Sequence, residues 1–313
     1  MKVVFMGTPD FAVPTLENLN NNYDVIAVVT QPDRKRGRGQ KFSYSPVKSY
    51  AVENKIDVFQ PDKVKDKEFI LELKKLSPDV IVVVAYGQII PKEILQIPPL
   101  GCVNVHGSLL PEFRGAAPIH WAVIEGKAFT GITTMLMDEG MDTGDMLIKK
   151  KVDINSEDNV ATLHDKLSKV GADALIETLE QLKNDKITPI PQDSKEATYA
   201  PKITKEICEI NWNEESTQIF NKIRGLNPWP GAHTHFNNTR IKLYDSAVSS
   251  KSFKKECGQV VSADKDGLLV QAKDGAVSLK TVQPQNKKKM DAISFVNGYN
   301  IKEGDKFGEK RRG

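Results

Sequence analysis

The sequence predicts an α/β fold, a Rossmann-like doubly wound and mostly parallel sheet, followed by a small all-β carboxy-terminal domain. Two observations predict the α/β sheet. Apolar β-branched runs alternate with amphipathic stretches, and several runs are apolar at consecutive positions, as in strands covered on both faces. A third observation predicts the second part: after about residue 206, short alternating runs are separated by Asn-Asn and Asp-Gly turns.

The elements follow in order along the chain. Strands are predicted at 2–6, 24–30, 56–60, 79–86, 102–106 and 130–137. Helices are predicted over 63–76 and 116–126, and a longer amphipathic helix over about 156–183 closes the first domain. Beyond it periodicity is lost and three prolines follow, which indicates a linker. We therefore expect a catalytic domain at 1–189, a linker at 190–206, and a β domain of the OB-like barrel type at 207–313 with one short entrance helix.

Composition is that of a folded globular protein, with 39% hydrophobic and 27% charged residues. The longest apolar run, Val80–Tyr86, is too short to cross a bilayer, which needs about 20 residues. The amino terminus lacks the pattern of a secretory signal, so we expect a cytoplasmic protein. Cys102, Cys208 and Cys257 lie far apart without CxxC spacing, so neither a disulfide framework nor a metal site is expected.

Charge is unevenly distributed along the chain. The net charge is +3, but the segment from residue 206 onward has 18 Lys and Arg residues against 13 Asp and Glu residues, a net charge of +5. A basic domain beside a near-neutral one fits a polyanionic partner, and a solvated basic surface fits the same numbers.

The predicted strand "CVNVH" brings two polar side chains to one face. Alternation along a strand places Asn104 and His106 on the same side, roughly 6 to 7 Å apart. An amide can stabilise an oxyanion while an imidazole transfers a proton. The same pair also fits an amide that caps the sheet end and a histidine that bonds to the backbone.

A glycine-punctuated stretch, "MDEGMDTGDML", follows the next strand. Its carboxylates, Asp138, Asp142 and Asp145, lie where a turn returns the chain to the same edge of the sheet. A carboxylate beside an imidazole fixes its tautomer. Asp-Gly pairs also occur in ordinary turns.

Five cations lie within eight residues of the loop after the second strand: Arg34, Lys35, Arg36, Arg38 and Lys41. Such a loop suits a phosphate backbone, although a merely solvated loop has the same composition. The turn after the first strand, "MGTPDF", lacks the second and third glycines of GxGxxG, so a nicotinamide cofactor is not expected.

The motifs carry a family resemblance. "HGSLLPEFRGAAPI" together with "MDEGMDTGDML" resembles the formyltransferase family that uses 10-formyltetrahydrofolate. The fuller set, which adds "MGTPDFAVPTL", "QPDR", "GRG", "SPVK", "AYGQIIP", "ATYAPKI" and "NPWPGA", is similar to the branch of that family that acts on methionyl-tRNA.

The resemblance implies roles for particular residues. The catalytic Asn, His and Asp match Asn104, His106 and Asp142, without a metal. The folate cleft matches Ala85, Tyr86, Gly87, Gln88, Ile89, Ile90, Ser108, Leu109, Leu110 and Pro111. The tRNA-contacting insertion, loop 33–42, matches Arg34, Lys35, Arg36, Arg38 and Lys41, and we expect Lys287, Lys288 and Lys289 of the basic β domain to contact tRNA as well. Glu112 departs from the family, which often has a basic residue there.

The resemblance implies transfer of a formyl group from 10-formyltetrahydrofolate to the α-amino group of methionyl initiator tRNA, by a monomer and without a membrane partner. Two alternatives stay open at this point. A folate-dependent enzyme acting on a small-molecule or nucleotide-sugar amine would share the Asn-His-Asp site without needing the basic domain. A non-catalytic nucleic-acid-binding protein would need the basic segments but not His106.

Overall fold

The computed structural model describes residues 1–36, 41–249, 253–264 and 267–308, without the side chains of residues 35, 36, 41 and 42. The chain forms two compact units. The first comprises Met1–Pro118, Phe129–Asp153 and His164–Ala200, and the second comprises Ile119–Ala128, Ile154–Leu163 and Pro201–Gly313. No helix in the described ranges has the length and apolar character needed to span a membrane.

The first unit is built on a mixed sheet with the strand order β10-β9-β7-β6-β1-β2-β5. The strands in this part of the chain are β1 Lys2–Gly7, β2 Asp24–Val29, β3 Arg34–Arg36, β4 Lys41–Ser43, β5 Val58–Phe59, β6 Val80–Val84, β7 Cys102–His106, β8 Arg114–Gly115, β9 Phe129–Leu136, β10 Met146–Asp153 and β11 Tyr199–Ala200. Strands β5, β2, β1, β6 and β7 run parallel, whereas β9 and β10 add antiparallel pairs at one edge. The predicted doubly wound, mostly parallel sheet is confirmed.

Helices cover this sheet because their apolar stripes match its apolar faces. They are α1 Val13–Asn22, α2 Pro46–Glu53, α3 Lys67–Leu76, α4 Lys92–Leu95 and α6 Val160–Lys183. Helix α5, Pro118–Ile124, belongs from Ile119 onward to the second unit, as do residues 160–163 of α6. In α3 the buried side chains are Phe69, Ile70 and Leu73, at the three- and four-residue spacing of one helix face. Helix α2 starts where the Ser45 hydroxyl accepts a hydrogen bond from the Lys48 amide, with proline in the first turn.

Burial of both sheet faces makes β1 and β6 the centre of the core. Every residue of β6 is buried, and Val3, Val4, Phe5 and Met6 of β1 are fully inaccessible. The parallel strands β1, β6 and β7 end at one edge of the sheet, where ligands bind in open α/β folds. The loops after β6 and β7 and the turn between β9 and β10 therefore define the candidate site.

The second unit is an antiparallel β domain with the strand order β12-β13-β16-β15-β14 and with β17 paired to β16. Its elements are α7 Ser216–Gly225, β12 Ala232–Phe236, β13 Thr239–Ser249, β14 Val260–Asp264, β15 Gly267–Gln271, β16 Ala276–Pro284, β17 Met290–Asp291 and α8 Ala292–Tyr299. The turn signals act as expected. Asn237 and Asn238, which join β12 to β13, have φ values of 46° and 64°, a conformation that asparagine tolerates better than most residues.

Several elements were not predicted, among them strand β10 and helix α8. Strand β10 has the sequence "MLIKKKVD", and after its first two residues half-buried positions alternate with exposed ones. It lies at the sheet edge, where lysines are common, and the run of three lysines hides the apolar alternation by which a strand is predicted. Helix α8 was included in the alternating tail. It forms because the Asp291 carboxylate accepts the Ser294 amide at 2.8 Å and because Phe295 and Val296 enter the core of the β domain.

Candidate active site

The end of β7 carries two polar side chains, the Asn104 amide and the His106 imidazole, which differ in their hydrogen bonding. His106 is buried, and its Nε2 lies 3.0 Å from the carbonyl oxygen of Phe113. Asn104 is half-buried, and within the described residues no hydrogen bond engages its side-chain amide. The amide is therefore available to an external ligand, while the imidazole is held by the loop that follows the strand.

Asp142 lies beside this imidazole. Its Oδ1 is 3.6 Å from His106 Nδ1, and its Oδ2 accepts a hydrogen bond from the Gly115 amide at 2.8 Å. The backbone of Asp142 has φ 55°, in the left-handed region. The carboxylate is thus fixed by a backbone donor on one oxygen and faces the imidazole with the other.

The turn that carries Asp142 is shaped by its own side chains. The Asp138 carboxylate accepts hydrogen bonds from the Gly140 amide at 3.0 Å and from the Thr143 hydroxyl at 2.7 Å. At Gly144 a Cβ atom would collide with the carbonyl oxygen of Leu136, so this close approach requires glycine.

A second tether reaches this turn from residue 192. Gln192 Nε2 donates to the carbonyl oxygens of Asp142 at 2.9 Å and of Gly144 at 2.7 Å. Its Oε1 accepts from Arg114 Nε at 3.0 Å and from Nη2 at 2.8 Å. Arg114 is 3% exposed, so a buried guanidinium stands behind the Asp142 turn.

The loop after β7 is fastened at several points. The Thr133 hydroxyl donates to the Ser108 carbonyl at 2.7 Å and accepts from the Leu110 amide at 3.0 Å. The Phe113 amide donates to the Thr198 hydroxyl at 2.8 Å, and Phe113 has φ 59°. These contacts fix the Phe113 carbonyl that binds His106.

Residues 190–200 contribute to the same wall. The short strand β11 pairs in parallel with β8, and the Ala200 carbonyl accepts from the amides of Ala116 and Ala117. At Gly115, whose φ is 120°, a Cβ atom would lie 2.9 Å from the Ala200 carbonyl oxygen. Part of the segment predicted as a linker therefore packs against the site.

A cavity of about 180 Å³ opens beside Asp142. It is lined by part of the predicted folate set and by the Asp142 turn: Gln88, Ile89, Ile90, Met135, Met137, Asp138, Glu139, Gly140, Met141 and Asp142. Ile89 and Met141 are exposed, whereas Gln88 uses its Oε1 to accept the Val64 amide at 2.8 Å. The structure thus brings residues 88–90 together with Asp142.

The rest of the predicted folate set lies elsewhere. Ser108, Leu110 and Pro111 are buried and Leu109 is half-buried; Leu110 packs with Met135, so this turn supports the cavity wall from behind. Ala85, Tyr86 and Gly87 instead line a cavity of about 280 Å³ with residues that include Thr8, Gln31 and Arg34. The Tyr86 carbonyl accepts from the Thr8 hydroxyl at 2.9 Å.

The basic hairpin is anchored at its base. Strands β3 and β4 pair antiparallel, and the Lys48 ammonium bonds the carboxylate of Asp33 and, at 2.6 Å, the Oε1 of Gln60. The hydrogen bond from Lys48 holds the pKa of Asp33 below its usual value. This contact links the "QPDR" and "SPVK" motifs.

The predicted tRNA-contacting residues are placed only in part. Arg34 is exposed, while the side chains of Lys35, Arg36 and Lys41 and all of Arg38 lie outside the described residues. Lys287, Lys288 and Lys289 are exposed in the turn between β16 and β17, and Lys289 Nζ lies 3.6 Å from the centre of the Tyr244 ring. Within the described ranges no group of three or more His, Cys, Asp or Glu side chains is arranged to hold a metal ion.

Comparison with known families agrees with this geometry. Residues 1–179 match the family model described as "Formyl transferase", and residues 202–300 match "Formyl transferase, C-terminal domain". The chain belongs to the formyl transferase family.

Two similar members of the family extend over nearly the whole chain. One, from Caldanaerobacter subterraneus subsp. tengcongensis, is 50% identical over 97% of this chain and 99% of its own length. The other, from Ruminiclostridium cellulolyticum, is 47% identical over 99% of this chain and 100% of its own. Both bear the name methionyl-tRNA formyltransferase.

Solved structures show the same fold at low identity. WlaRD, a sugar 3N-formyl transferase crystallised with dTDP and 5-N-formyl-THF, matches with a TM-score of 0.68 at 20% identity, over 92% of this chain and 99% of its own. HypX from Aquifex aeolicus, in complex with tetrahydrofolic acid, matches with a TM-score of 0.62 at 16% identity, over 99% of this chain and 51% of its own.

Sequence reasoning missed several groups that hold this formyl transferase site together. The Phe113 carbonyl and the Gly115 amide are backbone atoms, which leave no signal of their own in a sequence. Arg114 lies within the motif "HGSLLPEFRGAAPI" and Gln192 lies within the predicted linker, but neither residue was predicted to belong to the site. The available signal for Arg114 was an arginine between an apolar residue, Phe113, and a glycine, Gly115.

Proposed function

We propose that this formyl transferase moves the formyl group of 10-formyltetrahydrofolate to the α-amino group of methionyl initiator tRNA, for initiation of translation. The observation that carries the proposal is the pair His106 and Asp142, with Asn104 two residues before His106 on β7, in a chain 50% and 47% identical to methionyl-tRNA formyltransferases over nearly full length. We further propose residues 1–189 as the catalytic domain, 190–206 as a linker whose first half fastens the site through Gln192 and Thr198, and 207–313 as the tRNA-binding domain, in a cytoplasmic monomer.

The tautomer of His106 follows from its partners. A carbonyl oxygen only accepts hydrogen bonds, so Nε2, at 3.0 Å from the Phe113 oxygen, carries a hydrogen. The nitrogen that can gain or lose a proton is then Nδ1, which faces Asp142. Proton exchange is confined to the side of the ring where the carboxylate lies.

These positions support distinct roles. The Asn104 amide donates to the oxygen that becomes negative when the acceptor amine attacks the formyl carbon, and a protonated His106 stabilises the same charge. Asp142 orients His106 and carries a proton, directly or through water, from the attacking nitrogen to the leaving nitrogen. One carbon–nitrogen bond forms and one breaks, with no net change in protons.

The cavity beside Asp142 has about 180 Å³, which suits the ring system of the formyl donor. Its walls combine Met135 and Met137 with the exposed Ile89, and methionine adapts its shape to a flat ring system. Residues 88–90 and 137–142 would hold the folate there, and the folate would supply the formyl group. We keep Ala85, Tyr86, Gly87 and the Ser108–Pro111 turn as proposed folate-binding residues; the first three line the separate cavity that also contains Thr8 and Gln31.

A panel of formyl acceptors tests the substrate. We expect transfer to charged initiator tRNA, little transfer to charged elongator tRNA, and none to uncharged tRNA or small amines. Transfer to a nucleotide-linked sugar amine at a comparable kcat/KM would favour the small-amine alternative. Normal tRNA binding by the wild-type protein with no transfer to any acceptor would favour a non-catalytic RNA-binding protein.

The basic segments are tested separately from the chemistry. Replacing Arg36 and Arg38 together by Gln should weaken the use of tRNA and flatten its dependence on salt, because fewer counterions are released, while the affinity for folate stays unchanged. The triple replacement of Lys287, Lys288 and Lys289 by Gln should act in the same direction. An equal loss of folate affinity would mean that these residues serve the cleft instead.

A further inference from the structure

Gln192 occupies the junction between the Asp142 turn and a buried cation. Its amide oxygen accepts two hydrogen bonds from Arg114, and its amide nitrogen donates two to the carbonyls of Asp142 and Gly144. A glutamine amide has two donor hydrogens and two acceptor lone pairs, so every function of this side chain is used. The amide is held in one orientation, because the opposite one would place its NH2 against the guanidinium and its oxygen against two carbonyls.

Arg114 is an unusual partner for a neutral amide. Its side chain is 3% exposed, and in the part of the chain that the structure describes no carboxylate forms an ion pair with it. Burying a guanidinium without a counter-ion is costly. The guanidinium offers two N–H donors side by side, and these fix the orientation of the Gln192 amide. An apolar side chain of similar size could not do this.

The Asp142 turn needs such a tether. Asp142 adopts φ 55°, and its Oδ1 stands 3.6 Å from His106 Nδ1, at the edge of direct contact. Gln192 binds the carbonyl of Asp142 itself and that of Gly144, two residues later in the same turn. A rotation of this turn would move the carboxylate away from the imidazole without breaking the sheet.

We propose that Gln192 and Arg114 are positioning residues that hold the Asp142 carboxylate against His106, Gln192 by direct hydrogen bonds to the turn and Arg114 by locking the amide of Gln192. The inference rests on the proposed role of Asp142 in formyl transfer. It assigns a function in the active site to residue 192, which the sequence places beyond the last helix of the sheet unit.

The informative substitution is Gln192→Glu. A glutamate strengthens the contact with Arg114 as an ion pair, but it turns a carboxylate oxygen toward the carbonyls of Asp142 and Gly144 and removes both donors. We expect kcat for formyl transfer to fall by about 10- to 100-fold, the scale of a misplacement near 1 Å. Arg114→Met should lower kcat in the same range by releasing the amide.

A double-mutant cycle separates positioning from general damage. If Gln192 acts through the carboxylate of Asp142, Gln192→Glu should lower kcat by less than about twofold when Asp142 is already Asn. Gln271→Glu is the matched control, because the buried Gln271 amide also donates to two carbonyls, those of Ala272 and Gly275, at 2.8 Å each in the β domain. It should destabilise the protein and leave kcat within twofold of wild type.

Each outcome decides a separate point. A kcat for Gln192→Glu within twofold of wild type, or an equal loss with and without the Asp142 carboxylate, overturns the inference. An unchanged kcat for Arg114→Met overturns the part assigned to Arg114. If Gln192→Glu does not fold, Gln192→Met with Gln271→Met as control takes its place in the same cycle. If Asp142→Asn itself keeps its kcat, the proposed catalytic role of Asp142 fails, whatever Gln192 does.

Discussion

Replacing Asp142 by Asn should remove catalysis while leaving the fold intact. Gly115 donates its amide hydrogen to Oδ2 of Asp142 at 2.8 Å, so an asparagine must place its amide oxygen at that position. Its NH2 group then occupies the position of Oδ1 and faces His106 Nδ1. This NH2 donates to the ring nitrogen, which favours the neutral imidazole and blocks the proton path.

The magnitude follows from the function that is lost. A positioned acid or base contributes about 100- to 10,000-fold to turnover, which is about 3 to 5 kcal/mol of transition-state stabilisation. The free energy of unfolding should change by less than about 1 kcal/mol, because the hydrogen bond from Gly115 is kept. Asp142→Ala should lose about 1 to 3 kcal/mol as well, since the Gly115 amide is left without a partner.

The assay measures kcat at saturating charged initiator tRNA and 10-formyltetrahydrofolate, and unfolding by urea for each variant. Asp274→Asn is the matched control, because the Asp274 carboxylate also accepts a backbone amide, that of Ser216, at 2.7 Å, in the β domain. It should keep wild-type turnover. A kcat for Asp142→Asn within threefold of wild type refutes the catalytic reasoning, and equal destabilisation by Asn and Ala refutes the reasoning about Gly115.

Three further predictions concern stability and reactivity. The Tyr86 hydroxyl is buried without a hydrogen-bond partner in the described part of the chain, so Tyr86→Phe should raise the free energy of unfolding by about 1 kcal/mol in urea titrations at pH 7. Burial also raises the pKa of Tyr86 from 10.0 to about 12, so the wild type should lose stability relative to Tyr86→Phe as the pH rises from 10 to 12, and a constant difference would contradict this. Gly144→Ala should lower the free energy of unfolding by about 1 to 3 kcal/mol, because the new methyl group collides with the Leu136 carbonyl, and it should lower kcat by displacing Asp142. A wild-type free energy of unfolding and a wild-type kcat would show that the turn can move to accept the methyl group. In thiol labelling of the native protein at pH 8, the half-buried Cys257 should react first and Cys102 last, because burial raises the pKa of Cys102 to about 12; Cys257→Ser should remove the fast phase.

The sequence predicts the sheet well because its signals are local. The run Val80–Val84 is apolar at every position, as a central strand requires, and the Asn237–Asn238 pair specifies its own turn. β10 escapes prediction because its lysines face solvent at an edge, and α8 escapes because a short apolar segment fits a strand or a helix.

The candidate site is predictable only as far as its side chains lie on predicted elements. Asn104 and His106 share a strand, so alternation relates them directly. Asp142 reaches them through a turn whose geometry depends on Gly144 and on Gln192, which is 50 residues away. No periodicity connects residue 192 to residue 142. Likewise, a motif can locate the turn Ser108–Pro111 at the site without showing that its side chains lie behind the cavity wall.

The pairing of β11 with β8 has a consequence for how the protein is made. Thr198 and Ala200 fasten the loop after β7, and Gln192 fastens the Asp142 turn, yet all three follow the last helix of the sheet, which ends at Lys183. On the ribosome, where domains fold from the amino terminus onward, the sheet can therefore form before its catalytic turn is secured. A nascent chain released at residue 189 should keep the sheet and lack an ordered Asp142. We expect the Asp142 turn and the loop after β7 to be secured only when the chain has been synthesised through Ala200.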